Sequence, residues 1–229
     1  MERKYIMFKR YADDQVVRGI MRYFSNEKEN EKMQALDIGC GCGRHAKVCL
    51  EMGMHVKAVD IEEQNIVDTK MLLNEYLNKK LQVECADFLN MNETNAYDLI
   101  VAWNFLYAYN DKPEDCTDRL KKIVTMLKGG GKVIMSLKSD EDSWKTSGVK
   151  RGGGSGVIDN PLYDAPGYVF YSQDEMVDAI SECGLAIDYF EKFSRTYAMD
   201  WKNLSSNEEW KSKKLDVNEV WYAICATKK

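Results

Sequence analysis

The stretch Leu36-Asp37-Ile38-Gly39-Cys40-Gly41-Cys42-Gly43 constrains the fold more than any other part of the chain. An apolar run ends in an acidic residue, and glycines follow at every second position. This pattern predicts a buried strand that runs into a tight turn and then into a helix. Because glycine has no Cβ and tolerates positive φ, the backbone of such a turn can approach a ligand closely.

The rest of the chain alternates between strand-like and helix-like segments. Strands are predicted at about 33–38, 55–59, 81–86, 97–103, 132–137, 185–193 and 219–227. Helices are predicted at about 12–24, 44–52, 62–78, from Asp111 to the glycines at 129–131, and from the capping box Ser172-x-x-Glu175 to Gly184. This alternation predicts an α/β fold, with a mainly parallel, doubly wound sheet and helices on both faces.

The length of 229 residues favours one domain with additions, spanning 1–229. Residues 1–32 precede the first strand, and two insertions, at 139–171 and 195–217, interrupt the alternation. Insertions of this length are either functional or disordered. The last two predicted strands follow each other without a helix between them, so we expect them to pair antiparallel at one edge of the sheet.

Composition excludes several classes of function. The net charge is −5, which disfavours a nucleic-acid partner because such a protein must neutralise phosphates. The seven cysteines are odd in number and lack framework spacing, which predicts a reducing, cytoplasmic location. Cys40-x-Cys42 does not have zinc-ligand spacing, so we expect no metal. The N-terminal residues do not resemble a signal peptide, and no run of apolar residues is long enough to predict a membrane span.

Three ligands compete for the glycine turn. A phosphate-binding P-loop requires G-x₄-G-K-[ST], which is absent here. A dinucleotide site requires G-x-G-x-x-G, but Arg44 occupies the position of the third glycine. Asp37 would also repel a pyrophosphate. An acid at this point suits a cationic ligand instead, and S-adenosylmethionine has an ammonium group, a sulfonium group and no phosphate.

The sequence here resembles the class I S-adenosylmethionine-dependent methyltransferases, in particular the small-molecule type. Their hallmark is an apolar strand that ends in (D/E)-x-G-x-G-x-G, and residues 37–43 match every fixed position. The resemblance extends over about 35–137, and Leu127-Lys128-Gly129-Gly130-Gly131 is similar to the family's turn into the fifth strand. It implies a seven-stranded sheet of order 3-2-1-4-5-7-6 with the last strand antiparallel, and S-adenosylmethionine as cofactor, with S-adenosylhomocysteine as product.

The resemblance also implies which residues bind the cofactor. Asp60 ends the second strand, where the family places an acid on the ribose hydroxyls; two acceptor oxygens suit two hydroxyl donors. Asp87 falls where the family contacts the adenine amine, with Phe88 beside the ring, and Trp103-Asn104 matches the segment that lines the cofactor and the acceptor. The predicted cofactor set is Asp37, Gly39, Cys40, Gly41, Arg44, Asp60, Ile61, Asp87, Phe88, Trp103, Asn104 and Tyr11.

The residues of the acceptor side are less defined. Methyl transfer from a sulfonium is a displacement in which the protein mainly supplies proximity and orientation, with a proton acceptor where the nucleophile is a hydroxyl. The catalytic candidates are His45, Tyr107 and Tyr109, and the substrate candidates are Tyr107, Arg151 and Tyr168. Lys138, Lys150 and Arg151 would suit an anionic acceptor.

We therefore expect methyl transfer to an oxygen or nitrogen atom of a small molecule. Trp103-Asn104-Phe105-Leu106-Tyr107 lacks the prolines that the family's nucleic-acid N6-adenine type has here. The resemblance further implies that 1–32 is a helical lid and that 139–171 is a substrate cap, in a monomer or a homodimer. Two alternatives stay open: a cofactor-binding or regulatory protein without turnover, and a methyltransferase of protein or RNA.

Overall fold

The computed structural model describes residues 11–147, 149–150, 156–160, 165–198 and 216–229. The chain divides into two compact units. The first comprises Met1–Trp103, Lys122–Met135 and Cys225–Lys229, and the second comprises Asn104–Lys121 and Ser136–Ile224. Two strands and one helix, given below, run from one unit into the other.

The first unit contains four parallel strands and the helices between them. The strands are β1 (Gln34–Ile38), β2 (His55–Asp60), β3 (Leu81–Cys85) and β4 (Tyr97–Ala102). The helices are α1 (Asp14–Tyr23), α2 (Glu27–Asn30), α3 (Arg44–Glu51) and α4 (Glu63–Leu72), with 3₁₀ turns at Asn74–Tyr76 and Phe88–Asn90. β1 is the central strand, pairing with β2 on one side and β4 on the other.

Strand β1 is buried along almost its whole length. Every residue of β1 after Gln34 is buried, as a parallel strand with helices on both faces requires. Its register pairs Ile38 with Val59 of β2 and with Ala102 of β4. The carboxyl ends of β1, β2 and β4 therefore lie at one edge of the sheet, where the turn after β1 begins.

The elements of the second unit follow β4 in the chain. α5 (Pro113–Met126), β5 (Leu127–Ser139) and β11 (Asp216–Lys228) are divided between the two units. The second unit also contains α6 (Ser143–Ser147), α7 (Gln173–Glu182), β6 (Val149–Lys150), β7 (Ile158–Asn160), β8 (Ala165–Tyr168), β9 (Phe170–Tyr171) and β10 (Leu185–Ala198). β6, β7 and β8 form a separate antiparallel sheet.

The order of the large sheet is β10-β11-β5-β4-β1-β2-β3. Numbered by the seven predicted strands, this is 3-2-1-4-5-7-6, so the predicted topology is confirmed, with helices on both sides and the last strands antiparallel. β9 was not predicted; it pairs parallel with the end of β5 over two residues and raises the number of strands in this sheet to eight.

Two predicted boundaries are wrong. The helix predicted over 62–78 ends at Leu72, and the chain continues as a 3₁₀ turn before Asn78 takes a left-handed conformation at φ 58°. The glycines at 129–131 do not end α5 but lie inside β5. A Cβ on Gly131 would be 2.9 Å from the Tyr97 carbonyl oxygen, so this glycine permits β5 to lie close to β4 where their register shifts.

Candidate functional site

The turn after β1, here called the glycine turn (residues 39–43), has the conformation that its sequence predicts. Gly39, Gly41 and Gly43 have φ of 65°, 57° and 80°, all in the left-handed region that favours glycine. The turn is anchored to β2, because the Cys40 amide donates to the Val59 carbonyl oxygen over 3.0 Å. It closes on itself through a bond of 2.9 Å from the Gly43 amide to the Cys40 carbonyl.

Two glycines of the turn have different surroundings. A Cβ on Gly43 would be 2.9 Å from Thr69 Cγ2 and 3.0 Å from Leu73 Cδ1, so this glycine lets the turn pack on α4. A Cβ on Gly41 would meet no atom of the described residues within 4 Å. Backbone packing within the protein therefore explains Gly43, whereas Gly41 leaves bare backbone beside open space, which is the arrangement that a closely bound ligand requires.

Asp60, at the end of β2, is bonded to this same turn. Its Oδ2 accepts from the Gly41 amide over 2.9 Å, and its Oδ1 accepts from the Glu62 amide over 3.0 Å. Thr69 holds the turn from the other side by donating to the Gly41 carbonyl over 2.8 Å. Each carboxylate oxygen has a second lone pair, so Asp60 can still accept two hydroxyl protons in a fixed orientation.

Asp37 has a structural contact in the protein. Its side chain is only 1% exposed, and its Oδ2 accepts from the Ala46 amide over 2.9 Å, which satisfies a donor in the first turn of α3. Burial raises the pKa of this carboxyl to about 6, although the neighbouring charges of His45 and Arg44 act in the opposite direction. The contact of Asp37 with a cationic ligand stays a prediction.

Arg44 and His45 hold the segment that precedes α1. An Arg44 guanidinium nitrogen is 2.8 Å from Asp13 Oδ2, and another donates to the Tyr11 carbonyl over 3.3 Å. His45 Nε2 is 3.3 Å from the same Asp13 oxygen, and its ring meets Trp103 edge-on at 6.3 Å between centroids. His45 is 4% exposed, and its catalytic role stays a prediction. Its partner Asp13 was not predicted from the sequence.

The predicted adenine side has exposed groups at the same sheet edge. The Ala86 amide donates to the Asp60 carbonyl over 2.9 Å, which places the chain after β3 beside the end of β2. Asp87 is exposed, and its Oδ1 accepts from the Leu89 amide over 3.0 Å. Ile61 is 68% exposed, whereas Phe88 is buried at 7%. Ile61 is therefore better placed than Phe88 to contact a ring.

In the second unit, Tyr107 belongs to a chain of hydrogen bonds. Its hydroxyl accepts from the Trp221 indole over 3.2 Å and donates towards Asn104 Oδ1 over 3.5 Å. The Ser136 hydroxyl accepts a hydrogen bond of 2.9 Å from the backbone N–H of Asn104 and donates one of 3.2 Å to Asn104 Oδ1. We call Asn104, Tyr107, Ser136 and Trp221 the amide network. Burial raises the pKa of Tyr107 well above its usual value, so this hydroxyl stays protonated and donates.

Next to the amide network is a buried ionic cluster. Lys138 is 1% exposed, and its Nζ is 2.7 Å from Asp142 Oδ2 and 3.0 Å from Glu219 Oε2. The same ammonium group lies 3.8 Å from the centre of the Trp221 ring, a cation–π contact. The prediction that Lys138 is available to an anionic acceptor is therefore wrong, because two carboxylates of its own chain already neutralise it.

The remaining acceptor-side candidates differ in exposure. Tyr168 is buried at 8%, with its ring 5.5 Å from that of Tyr107. Tyr109 is 62% exposed and has a left-handed φ of 59°. Arg151 lies outside the described residues. Sequence reasoning missed Ser136, Glu219 and Trp221, because they look like ordinary strand residues until their partners are known. It also missed Asp142, which lies between β5 and α6.

No three His, Cys, Asp or Glu side chains in the described ranges come together as metal ligands. No helix in this part of the chain has the length and apolar character that crossing a membrane requires.

Comparison with known proteins identifies the domain. Residues 35–131 match the family model described as a methyltransferase domain. A comparison with curated proteins gave no match. Among solved structures, 1,6-didemethyltoxoflavin-N1-methyltransferase of Burkholderia thailandensis, with bound 1,6-didemethyltoxoflavin and S-adenosylhomocysteine, is similar with a TM-score of 0.67 and 14% identity. That similarity covers 99% of this chain and 82% of the other.

Two further structures show how far this fold extends. A S-adenosylmethionine-dependent methyltransferase of Methanosarcina mazei has a TM-score of 0.61 at 18% identity, over 86% of this chain and 93% of that one. The [4+2]-cyclase SpnF has a TM-score of 0.58 at 15% identity, over 90% of this chain and 80% of that one. At these identities the likeness shows the fold. Together with the matched domain and the strand order, it shows that residues 35–131 are a methyltransferase domain and that the fold is the Rossmann-like fold of the class I S-adenosylmethionine-dependent methyltransferases.

Proposed function

We propose that the protein transfers a methyl group from S-adenosylmethionine to an oxygen or nitrogen atom of a small molecule. The observation that carries this proposal is the pairing of Gly41 with Asp60: bare backbone beside open space, bonded over 2.9 Å to a carboxylate at the neighbouring strand end. This is the arrangement of donors and acceptors that a ribose next to a close-packed backbone requires.

The residues of the first unit fit the cofactor. Asp60 offers two oriented acceptor oxygens for the ribose, the exposed Ile61 offers an apolar surface for the adenine ring, and Asp87 offers an exposed carboxylate near an exocyclic amine. When bound, the cofactor supplies a methyl group already activated by the positive charge of sulfur. What the protein must add is orientation of the acceptor and exclusion of water.

The raised pKa of Tyr107 limits the role that its hydroxyl can have in the reaction. A hydroxyl nucleophile needs a proton acceptor within hydrogen-bond reach, and an amine nucleophile must arrive neutral. Burial keeps the Tyr107 hydroxyl protonated far above neutral pH, so this group donates a hydrogen bond and does not act as a base. We therefore infer that Tyr107 orients other groups.

Similarity to relatives supports the small-molecule assignment. The Burkholderia structure has 1,6-didemethyltoxoflavin bound, and the net charge of −5 disfavours an RNA substrate for this chain. The second hypothesis, a cofactor-binding protein without methyl turnover, is supported by the similarity to the [4+2]-cyclase SpnF. That protein has this fold, but its name describes a reaction other than methyl transfer. The predicted lid at 1–32, cap at 139–171 and insertion at 195–217, together with cytoplasmic location and a monomeric or dimeric state, stay predictions.

The test has two parts. Calorimetry with S-adenosylhomocysteine measures cofactor binding, for which we expect a Kd in the micromolar range. S-adenosylmethionine with a radiolabelled methyl group, incubated with protein and cell extract, then reports transfer to small molecules or to macromolecules after filtration. Label in the small-molecule fraction supports the proposal, and label in RNA or protein replaces it with the macromolecular alternative. Binding without transfer supports a protein without methyl turnover, and no binding by a folded protein contradicts the proposal altogether.

A further inference from the structure

Tyr109 has a strained backbone conformation in the segment between β4 and α5. Its φ is 59°, in the left-handed region, which a bulky residue adopts only where its surroundings impose it. The side chain is 62% exposed, so packing of the ring does not supply that constraint. The contacts of the backbone on either side of Tyr109 therefore hold it in place.

An arginine and an asparagine bind the carbonyl groups of this segment, residues 106–110, here called the tyrosine loop. The Arg119 guanidinium donates to the carbonyl oxygens of Ala108 and Tyr109 over 2.6 and 2.7 Å. The side-chain nitrogen of Asn110 donates to the Ala108 carbonyl over 3.3 Å. Because a carbonyl oxygen can only accept, this contact identifies which end of the Asn110 amide is the nitrogen.

Asn110 also bonds the tyrosine loop to a second segment, residues 167–169, here called the strap. Its side-chain nitrogen donates to the Gly167 carbonyl over 3.2 Å, and its backbone N–H donates to the same oxygen over 3.1 Å. In the other direction, the Val169 amide donates to the Tyr107 carbonyl over 2.9 Å. Asn110 is completely buried, and hydrogen bonds that are shielded from water are strong ones.

The strap and the tyrosine loop lie too close together at Gly167 for a residue that has a Cβ. A Cβ on Gly167 would collide with the Asn110 carbonyl oxygen and would lie 2.5 Å from its backbone nitrogen. The Gly167 amide donates to Asp159 Oδ1 of β7 over 2.8 Å, which connects the strap to the small antiparallel sheet. The tyrosine loop, the strap and this sheet therefore meet where Asn110 contacts Gly167.

We propose that the tyrosine loop and the strap form one conformational switch that is latched by Asn110. In the latched state the two segments are bonded and Tyr109 is strained. When the latch opens, both segments are released together and Tyr109 relaxes to an ordinary φ, so the strain lowers the cost of opening. Tyr107 and Tyr109 lie on the loop and Tyr168 lies on the strap, so one opening moves three acceptor-side candidates. This inference goes beyond the proposed function and does not depend on methyl transfer.

Hydrogen exchange of the wild-type protein, followed by nuclear magnetic resonance, tests the coupling without any ligand. The Ala108 amide is bonded to the Phe105 carbonyl, and the Gly167 amide is bonded to Asp159, so each reports on its own segment. We expect both to exchange through one opening, with protection factors within about 3-fold of each other. Both should be at least about 10-fold below that of Ile224 in β11, which reports global unfolding. A larger difference between the two amides, or protection equal to that of Ile224, would overturn the inference.

Gly167→Ala disrupts the latch from the side of the strap. The added methyl group forces the strap away from Asn110, so the protection of the Ala108 amide in the loop should fall at least about 10-fold. Gly130→Ala is the matched control, because its φ of 75° is close to the 79° of Gly167 but a Cβ there meets no described atom within 4 Å. A fall in Gly167→Ala no larger than in the control would contradict the proposed coupling.

Two variants of the tyrosine loop should shift the switch in opposite directions. Asn110→Ala removes the latch and should raise the opening equilibrium at least about 10-fold, measured at the Gly167 amide in the strap. Tyr109→Asn relieves the strain, because asparagine tolerates a left-handed φ, and should lower opening about 3-fold at the same amide. If either variant leaves the exchange of the Gly167 amide unchanged, the two segments are not one switch and the inference fails.

Discussion

The glycine turn and the amide network are built in opposite ways. At the glycine turn, the ligand-facing features come from backbone conformation: three left-handed glycines, and a carboxylate held by the amides of Gly41 and Glu62. In the amide network, side chains bond to side chains, and the bond from Trp221 to Tyr107 joins residues 114 positions apart. The first region needs the right residues in one short stretch, and the second needs the folded sheet.

This difference explains why the two sides of the proposed reaction are unequally predictable. A left-handed backbone selects glycine directly, so a sequence motif reports it. Whether a hydroxyl donates or accepts in a given hydrogen bond depends on all the partners of the two bonded groups. No sequence pattern reports those partners for a residue such as Ser136. The following variants test this contrast, beginning with the largest expected effect.

Lys138→Met tests how strongly the second unit depends on long-range side-chain contacts. The variant leaves the carboxylates of Asp142 and Glu219 buried without their cation, which should lower the free energy of unfolding by about 3–5 kcal/mol. Urea denaturation measures this. Lys192→Met is the control, since it removes a lysine from a solvent-exposed pair with Glu141 and should leave the unfolding midpoint in place. A loss below about 1 kcal/mol for Lys138→Met would contradict the prediction.

Asp37→Asn tests the electrostatics beside the glycine turn. Burial raises the pKa of Asp37 from 3.8 to about 6 in the folded protein. Between about pH 4 and 6 the folded state therefore binds more protons than the unfolded state. The proton on Asp37 stabilises the folded protein at low pH, and this contribution to the free energy of unfolding is lost as the pH rises through 6. Asparagine does not titrate, so the variant should gain about 3 kcal/mol relative to wild type between pH 4 and pH 7. Denaturation of both proteins across this range measures the difference; a constant difference would contradict it.

Gly43→Ala and Gly41→Ala form a matched pair within the turn. Both alanines are strained at positive φ, but only the one at position 43 meets Thr69 and Leu73. Gly43→Ala should lower stability by roughly 2 kcal/mol, and Gly41→Ala by about 1 kcal/mol.

For ligand binding we expect the opposite order, with a larger effect for Gly41→Ala than for Gly43→Ala. Gly41→Ala should weaken binding of S-adenosylhomocysteine about 10-fold, because its methyl group enters the space beside the backbone. Calorimetry on both variants checks this. Equal affinities would show that position 41 does not face the ligand.

Asp60→Ala should weaken ligand binding about as much as Gly41→Ala does. Loss of the acceptor for the ribose hydroxyls should weaken binding of S-adenosylhomocysteine about 10-fold, or about 1.4 kcal/mol. Asp98→Ala is the matched control: Asp98 also accepts from a backbone amide, that of Gln34, but it lies near the start of β4, at the opposite edge of the sheet. If Asp98→Ala weakened ligand binding as much as Asp60→Ala, the loss in Asp60→Ala would come from impaired folding and not from a missing contact with the ribose.

The sequence predicted the topology of the sheet and the cofactor side of the site. The order of the strands, the positive φ of the three glycines and the place of Asp60 at the end of β2 were all expected from spacing and from resemblance to a family. The errors have a common cause. The glycines at 129–131 were predicted to end a helix but lie within β5. Lys138 was expected to suit an anionic acceptor but is buried between two carboxylates. Neither a strand partner nor a counter-ion is visible in a linear pattern.

The sequence by itself predicted the methyl donor, because the glycine turn encodes its own conformation and residues 37–43 resemble the hallmark of a methyltransferase family. Only the tertiary structure decided which polar groups are already satisfied and which still point outward. Asp37 is occupied by the first turn of α3, Lys138 by two carboxylates, and the Asn104 oxygen by two hydroxyls. The physical reason is that a hydrogen bond or an ion pair belongs to two groups at once, and the chain brings them together only when it folds.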